Sequence, residues 1–235
     1  MTAAAAVAAL ALTASPARVA LAGAGTATVE VTNHGRQPVV LEVSRAGFAL
    51  DLRGRPRIVR AAIPTWLAVA PRRVAIAPGT SAALRLAARV PRDASPGDHP
   101  GLLLLASRPV VRGAVAVRVR LGVVVLLRVP GRVVHRLALT ALRGRGKTLE
   151  LGVANRGNVA EALPGRRVTV TLWRRGRLVA RLHPPGGEVL PRARAILELK
   201  YRGRLRGPFD ARVELGSIRR SFRVRIRRET LPRLR

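Results

Sequence analysis

The sequence predicts an all-β protein made of two tandem immunoglobulin-like β-sandwich domains. Turn signals recur about every 8–12 residues, and the segments between them alternate apolar and polar residues, the pattern of half-buried strands. No segment beyond the N-terminus carries a helical period, and one order of strands and turns occurs twice. The 235 residues accommodate two sandwiches of roughly 100 residues each. Hydrophobic residues make up 48% of the chain and aromatics only 3%. The cores must therefore be Val, Leu, Ile and Ala, with Phe48, Trp66, Trp173, Tyr201, Phe209 and Phe222 as sparse anchors.

Residues 1–14 read as a truncated export-signal segment. Ala3 to Ala14 is an apolar run of signal h-region length, too short to cross a bilayer as a helix, and no basic residue precedes it. Residues 15–129 make the first sandwich. Ala17–Leu21 and Thr26–Thr32 alternate as strands, Asn33-His34-Gly35 turns, and Pro38–Val43 resumes. Trp66–Val69, Val74–Ile76 and Ala82–Val90 follow, separated by turns such as Ala77-Pro78-Gly79. Leu102–Ala106 is continuously apolar, as a strand covered on both faces should be. Val115–Leu121 then alternates strictly, with Arg118 and Arg120 outward, and Val123–Val129 carries the strand into burial.

Residues 130–133, opening on Pro130-Gly131, read as a linker, 134–228 as the second sandwich and 229–235 as a basic tail. The second sandwich has expected strands at Arg136–Leu142, Leu149–Ala154, Val168–Trp173, Arg177–Leu182, Ala195–Leu199, Ala211–Leu215 and Phe222–Ile226. In the last of these, Phe222, Val224 and Ile226 face inward while Arg223, Arg225 and Arg227 face out. No segment after the N-terminal run reaches ~18 uninterrupted apolar residues, so no transmembrane segment is expected in this sequence.

An internal duplication supports two copies of one sandwich. The strand ending in Asn33-x-Gly35 matches the strand ending in Asn155-x-Gly157. Ile76-Ala77-Pro78 with Ala83-Leu84-Arg85-Leu86 matches Leu190-Pro191 with Ile196-Leu197-Glu198-Leu199. Gly97-Asp98-His99-Pro100 has its counterpart in Gly207-Pro208-Phe209-Asp210. Each match is short; the shared order carries the inference.

The formal net charge of +32 predicts attraction to polyanions. Lys147 and Lys200 are the only lysines, so nearly all of that charge is arginine. It is spread along the chain, in a composition rich in Ala, Gly, Val, Pro and Leu of the kind a GC-rich genome produces. The sequence has no cysteine, which excludes disulfides, thiolate metal sites and thiol nucleophiles. Gly144-Arg145-Gly146-Lys147-Thr148 ends like a phosphate-binding loop, but Ala141 stands where that motif needs glycine, and a strand follows in place of a helix. His34, His99, His135 and His183 lie far apart and none has metal-ligand spacing. The twelve acidic residues include Asp51, Asp93, Asp98 and Asp210 in or beside turns, where they bond the backbone or pair with arginine. No nucleophile, base and orienting group come together. We therefore expect no enzyme, cofactor, metal or small-molecule substrate. The few aromatics provide no stacking platform for bases, so nucleic-acid binding ranks last.

A family resemblance rests on Trp66-Leu67-x-Val69-x-Pro71, then Val74-x-Ile76-x-Pro78-Gly79-x-Ser81-x-x-Leu84-x-Leu86, then Val90-Pro91-x-Asp93-Ala94-x-Pro96-Gly97-Asp98-His99. This run resembles the ectodomains of bacterial WxL-interacting cell-surface proteins and, less closely, the first domain of periplasmic pilus chaperones. The match covers roughly Ser15 to Val129, and the motifs are turn and core residues that specify fold more than activity. It implies an exported protein of tandem immunoglobulin-like domains that binds peptidoglycan or a partner surface protein. WxL-interacting proteins carry a transmembrane helix and basic tail after their sandwiches, whereas Arg219 to Arg235 is an arginine-rich strand and tail. No residue matches the basic pair of the pilus chaperones.

The expectation that follows is a non-catalytic cell-envelope protein binding an anionic wall polymer or a surface protein. The exposed arginines Arg118, Arg120, Arg223, Arg225 and Arg227 are the candidate contacts. The alternative is a chaperone-like assembly factor offering an edge strand to surface subunits, with Val115 to Val125 as the candidate strand.

Overall fold

The structure, a computed structural model, describes residues 11–112, 115–145, 147–201 and 205–226, with the side chains of 110–117 excepted. Its strands in chain order begin with β1 (Leu12–Ser15), β2 (Arg18–Ala22), β3 (Gly25–Asn33), β4 (Val39–Leu50), β5 (Pro56–Val59) and β6 (Leu67–Ala70). Then come β7 (Arg73–Ile76), β8 (Ser81–Ala88), β9 (Gly97–Ser107), β10 (Val110–Arg112), β11 (Val115–Val117) and β12 (Arg120–Val129). The second half holds β13 (Leu137–Arg145), β14 (Thr148–Asn155), β15 (Glu161–Leu163), β16 (Val168–Arg174) and β17 (Arg177–Leu182). It ends with β18 (Gly187–Val189), β19 (Arg194–Lys200), β20 (Gly207–Leu215) and β21 (Ile218–Ile226). The chain is all-β among the described residues, apart from one short 3-10 turn at Gly165–Arg167.

Two compact units result: residues 1–49 with 58–132, and residues 50–57 with 133–235. In the first, the sheet β1-β3-β8-β6 faces the sheet β2-β12-β9-β4-β5, and β7 pairs with β4. Strand alternation sends Val29, Val31, Leu84 and Leu86 from one sheet against Leu41, Val43, Leu103, Leu105, Val123 and Val125 from the other. Between β1 and β2 the chain changes sheets. β1 is antiparallel to β3, whereas β2 runs parallel to β12.

The connection between β5 and β6 crosses the sandwich against a glycine pair. Gly47 and Gly101 are cross-strand partners in β4 and β9. A Cβ on Gly47 would stand 2.5 Å from the Ala62 carbonyl, and one on Gly101 would stand 3.0 Å from the Trp66 ring. Only glycine lets the crossing chain come this close. Arg45 turns inward here and donates Nη1 to the carbonyls of Pro64 and Leu67. Trp66 is half-buried over this end of the core.

The second unit packs the sheet β13-β14-β19 on the sheet β17-β16-β20-β21, with β15 and β18 as a separate pair. Leu149, Leu151, Val153, Leu197 and Leu199 meet Val170, Leu172, Phe209, Val213 and Val224. Within it, the Asp51 carboxylate accepts the N–H groups of Arg53 and Arg55. The Arg55 bond is the main cause holding the Asp51 carboxyl below the ordinary carboxylate range. Arg53 donates to Glu150 at 3.2 Å and also to Glu198.

The duplicated turns have the same construction. In the first unit the Asn33 Nδ2 donates to the Gln37 and Ile76 carbonyls at 2.8 and 3.1 Å, while Oδ1 accepts the Gly35 N–H at 2.9 Å. In the second, Asn155 donates to Val159 and Val189 at 2.7 and 3.1 Å and accepts from Gly157 at 2.8 Å. Both side chains are buried. The following turns correspond as well. Gly79 has φ +71°, and Arg192 holds the matching place at φ +56°.

Several expected elements change length. Leu12–Ser15, expected within an export segment, is a strand, as is Pro56–Val59, which the composition does not mark. β4 runs seven residues past Val43 because Arg45 and Gly47 keep an extended backbone under the crossing chain. Phe48, Tyr201 and Phe209 are buried as expected for anchors, but Trp173 stands on the outward side of its sheet.

Candidate functional site

The expected strand from Val115 through Val129 divides into β11 and β12, and Ser107 makes the joint. The Ser107 N–H donates to the Val119 carbonyl at 2.9 Å, and the Val119 N–H donates to the Ser107 hydroxyl at 3.0 Å. A side-chain oxygen thus replaces the main-chain acceptor that a regular ladder would supply, and pairing resumes only at Arg120. Ser107 is buried with its hydroxyl bonded also to the Arg108 carbonyl at 3.0 Å. Beyond the joint, β10 and β11 form a hairpin of their own.

On one side β12 pairs with β9 along its whole length, from Arg120 opposite Ala106 to Val129 opposite Gly97. On the other side β2 covers only Val124 to Arg128. The Val124 N–H donates to the Ala17 carbonyl at 3.1 Å, so it points to the β2 side. Strand groups repeat every second residue, so the main-chain N–H and C=O of Gly122 and Arg120 point the same way. Among the described residues no strand pairs with them. Val119, Leu121 and Val123 hold this stretch to the core through their side chains. The result is a short open edge on a well-anchored strand.

Arg118 serves the fold. Its Nε donates to the Ser107 carbonyl at 3.0 Å, and its guanidinium lies 3.8 Å from Glu42. Arg120 is exposed and lines a groove of about 300 Å³ with Ser44, Leu104, Ala106, Ile58 and Arg60. Ile58 and Ile63 on its wall are exposed apolar side chains. Arg223 and Arg225 are exposed on β21, with the Arg223 Nε 3.5 Å from Asp210. Arg227 lies outside the described residues. Arg118 and Arg120 line the same groove of the first unit, whereas Arg223 and Arg225 belong to the second.

The sparse titratable groups have local partners. Asp98, buried, takes a bidentate pair from Arg128, with Nε to Oδ1 at 2.6 Å and Nη2 to Oδ2 at 2.8 Å. That hydrogen bond raises the Arg128 pKa above its ordinary value. His99 meets the Ser95 carbonyl at 2.8 Å rather than Asp98. His34 bonds Thr13, His135 bonds Glu161, and His183 bonds the Val168 carbonyl. Among the described residues no three His, Asp or Glu side chains stand together as metal ligands. Strand β14 begins at Thr148, paired with Arg145 of β13, so a strand and not a helix follows the phosphate-loop-like lysine. No helix of the described residues is long and apolar enough to cross a membrane.

No protein-family model and no curated protein matches this sequence. Among solved structures, the chain is similar to a chain of the CsuC–CsuE chaperone–tip subunit pre-assembly complex from the archaic chaperone-usher Csu pili of Acinetobacter baumannii. The TM-score is 0.51 at 12% identity, covering 91% of this chain and 98% of that one. The class 5 fimbriae chaperone CfaA gives a TM-score of 0.51 at 13% identity, covering 87% and 99%. A chain of the SafA pilin–SafB chaperone complex of Salmonella enterica gives 0.50 at 15%, covering 92% and 97%. At these identities the likeness is one of fold. It agrees with the pilus-chaperone resemblance seen in the sequence; the structures named here are not WxL-interacting proteins.

Proposed function

We propose that this chain is an exported, non-enzymatic assembly factor that lends the open edge of β12 to a surface subunit lacking a strand. The observation that carries this reading is the uncovered stretch Arg120–Val123, with two residues' main-chain groups turned outward from a strand fixed to the core. An extended partner segment adds to such an edge by main-chain hydrogen bonds, the mode known for chaperone–pilin complementation. The shared fold with chaperones solved together with tip subunit and pilin supports it.

The energetics limit what the edge does alone. Arg120 and Gly122 offer four main-chain groups at about 0.5–1.5 kcal/mol net each. Their sum falls short of the roughly 8 kcal/mol of a micromolar complex. A partner must therefore continue along the β10–β11 hairpin or pack side chains beside the edge. Arg120 supplies charge there, whereas Arg118 is committed to Ser107 and Glu42. The described candidate arginines Arg118, Arg120, Arg223 and Arg225 lie in different units, so as a set they do not make one wall-polymer site.

Arg120→Pro removes one outward N–H and leaves the β9 ladder intact. Co-expressed with a pilin-type subunit that lacks one strand, the variant should recover less than about a tenth of the subunit that the parent chain holds. Its thermal unfolding should stay unchanged. Full recovery by the folded variant would rule the edge out.

A further inference from the structure

The outward face of the second unit's four-stranded sheet holds a depression that the strand-edge reading does not use. Trp173 of β16, Asp210 of β20 and Arg223 of β21 stand directly opposite one another across three strands. Arg212 and Ser221 form the next row but one on the same face. The residues between these rows, Leu172, Ala211 and Phe222, belong to the core side, so alternation puts the five toward solvent. With Ala211 and Phe222 at its floor, they line a shallow, open depression of about 380 Å³, the lower range of small-ligand sites. The Arg212 guanidinium carbon lies 5.6 Å from the centre of the Trp173 ring.

Each member supplies a contact of a distinct kind. The Trp173 indole offers apolar surface to the C–H face of a sugar ring beside the Arg212 guanidinium that lies over it. The Asp210 carboxylate accepts from hydroxyl groups, and the Ser221 hydroxyl both accepts from and donates to them. The guanidinium forks of Arg212 and Arg223 match a carboxylate. Two arginines against one aspartate leave a single positive charge, which balances one carboxylate per sugar unit and opposes a phosphate dianion less well. Core packing does not require the tryptophan here, because Leu172 and Phe209 fill the interior beneath it.

We propose that this depression binds an acidic polysaccharide built of carboxylated (uronate) sugar units, with Trp173 as the stacking platform and Arg212 and Arg223 as carboxylate contacts. The proposal is independent of the β12 edge, which lies in the other unit.

Calorimetric titration of the full chain with trigalacturonate tests it, with triglutamate as a carboxylate probe that has no sugar face and maltotriose as a neutral sugar. Trigalacturonate should bind at least about tenfold more tightly than either control. Trp173→Leu should weaken trigalacturonate about tenfold and leave triglutamate unchanged. Arg212→Gln, at an exposed position, should weaken it similarly and keeps the test decisive if the leucine variant folds poorly. Arg225→Gln, on the same strand but outside the depression, should alter affinity less than about twofold. Equal binding of triglutamate and trigalacturonate would overturn the proposal, as would affinity unaffected by both Trp173→Leu and Arg212→Gln.

Discussion

In the first unit, the amide of Asn33 joins Gln37 and Ile76 where two of its three hydrogen bonds are only partly buried. In the second, Asn155 makes the same three bonds, and all of them are buried. The construction was repeated while its access to water was not. A shared hydrogen-bond pattern therefore does not mean a shared contribution to stability, because the cost of losing a bond depends on whether water can take its place.

The largest test of that difference is to truncate both side chains. Asn155→Ala should destabilise the second unit by about 3 kcal/mol or more, and Asn33→Ala the first by about 2 kcal/mol. Trp66 and Trp173 lie one in each unit, so denaturant unfolding followed in single-tryptophan variants separates the two. Equal losses would mean that the water reaching Gln37 does not compensate.

A second contrast lies at the start of β9 and β20. Asp98 is a buried acid clasped by Arg128, whereas its counterpart Pro208 stands exposed opposite Arg225. Asp98→Asn should destabilise the first unit by about 2 kcal/mol, less than for a fully buried pair because Arg128 remains half-exposed. Pro208→Asp should stabilise the second by no more than about 0.5 kcal/mol, as surface pairs do.

Tyr201, buried in the second unit, gives a contrast in pH. Burial pushes its phenol above the ordinary value of 10.0. Below that pH the phenol is neutral in both folded and unfolded chains and its contribution is fully present. As pH rises past about 10, the unfolded chain ionises first and stability is lost through the raised folded pKa. The Trp173-reported unfolding should therefore show an alkaline decline that Tyr201→Phe removes.

The smallest effect concerns the turn after β18. Arg192 adopts the left-handed conformation that Gly79 occupies in the first copy. Relief of ~1 kcal/mol of backbone strain is partly offset by the freer unfolded chain. Arg192→Gly should thus stabilise the second unit by about 0.5 kcal/mol, measurable as a small rise in denaturant midpoint at constant slope.

Strand alternation around Val29, Leu84 and Val224 was legible because each of these buried residues has exposed neighbours on both sides in sequence. The turns at Asn33 and Asn155 were legible as Asn-x-Gly, but not their reach, since Ile76 and Val189 are distant in sequence. The strand Leu12–Ser15 was hidden in an alanine-rich run with no alternation to read. Arg118 looked like a free surface charge because its partners, Ser107 and Glu42, come from two other strands. The open edge depends on where β2 stops pairing with β12, a parallel contact across more than a hundred residues that no local pattern encodes. Trp173 was misplaced inward because sparse aromatics suggest core anchors.

The change of sheets between β1 and β2 has a consequence for any strand laid along β12. Because β2 begins opposite Val124, it acts as an end stop: an added strand along Arg120 to Val123 cannot run on past Val124. Such a stop sets register by position rather than by side-chain identity, and a shift of one residue would turn every side chain of the guest to the opposite face. A host built this way can accept many sequences while holding each at the same alignment.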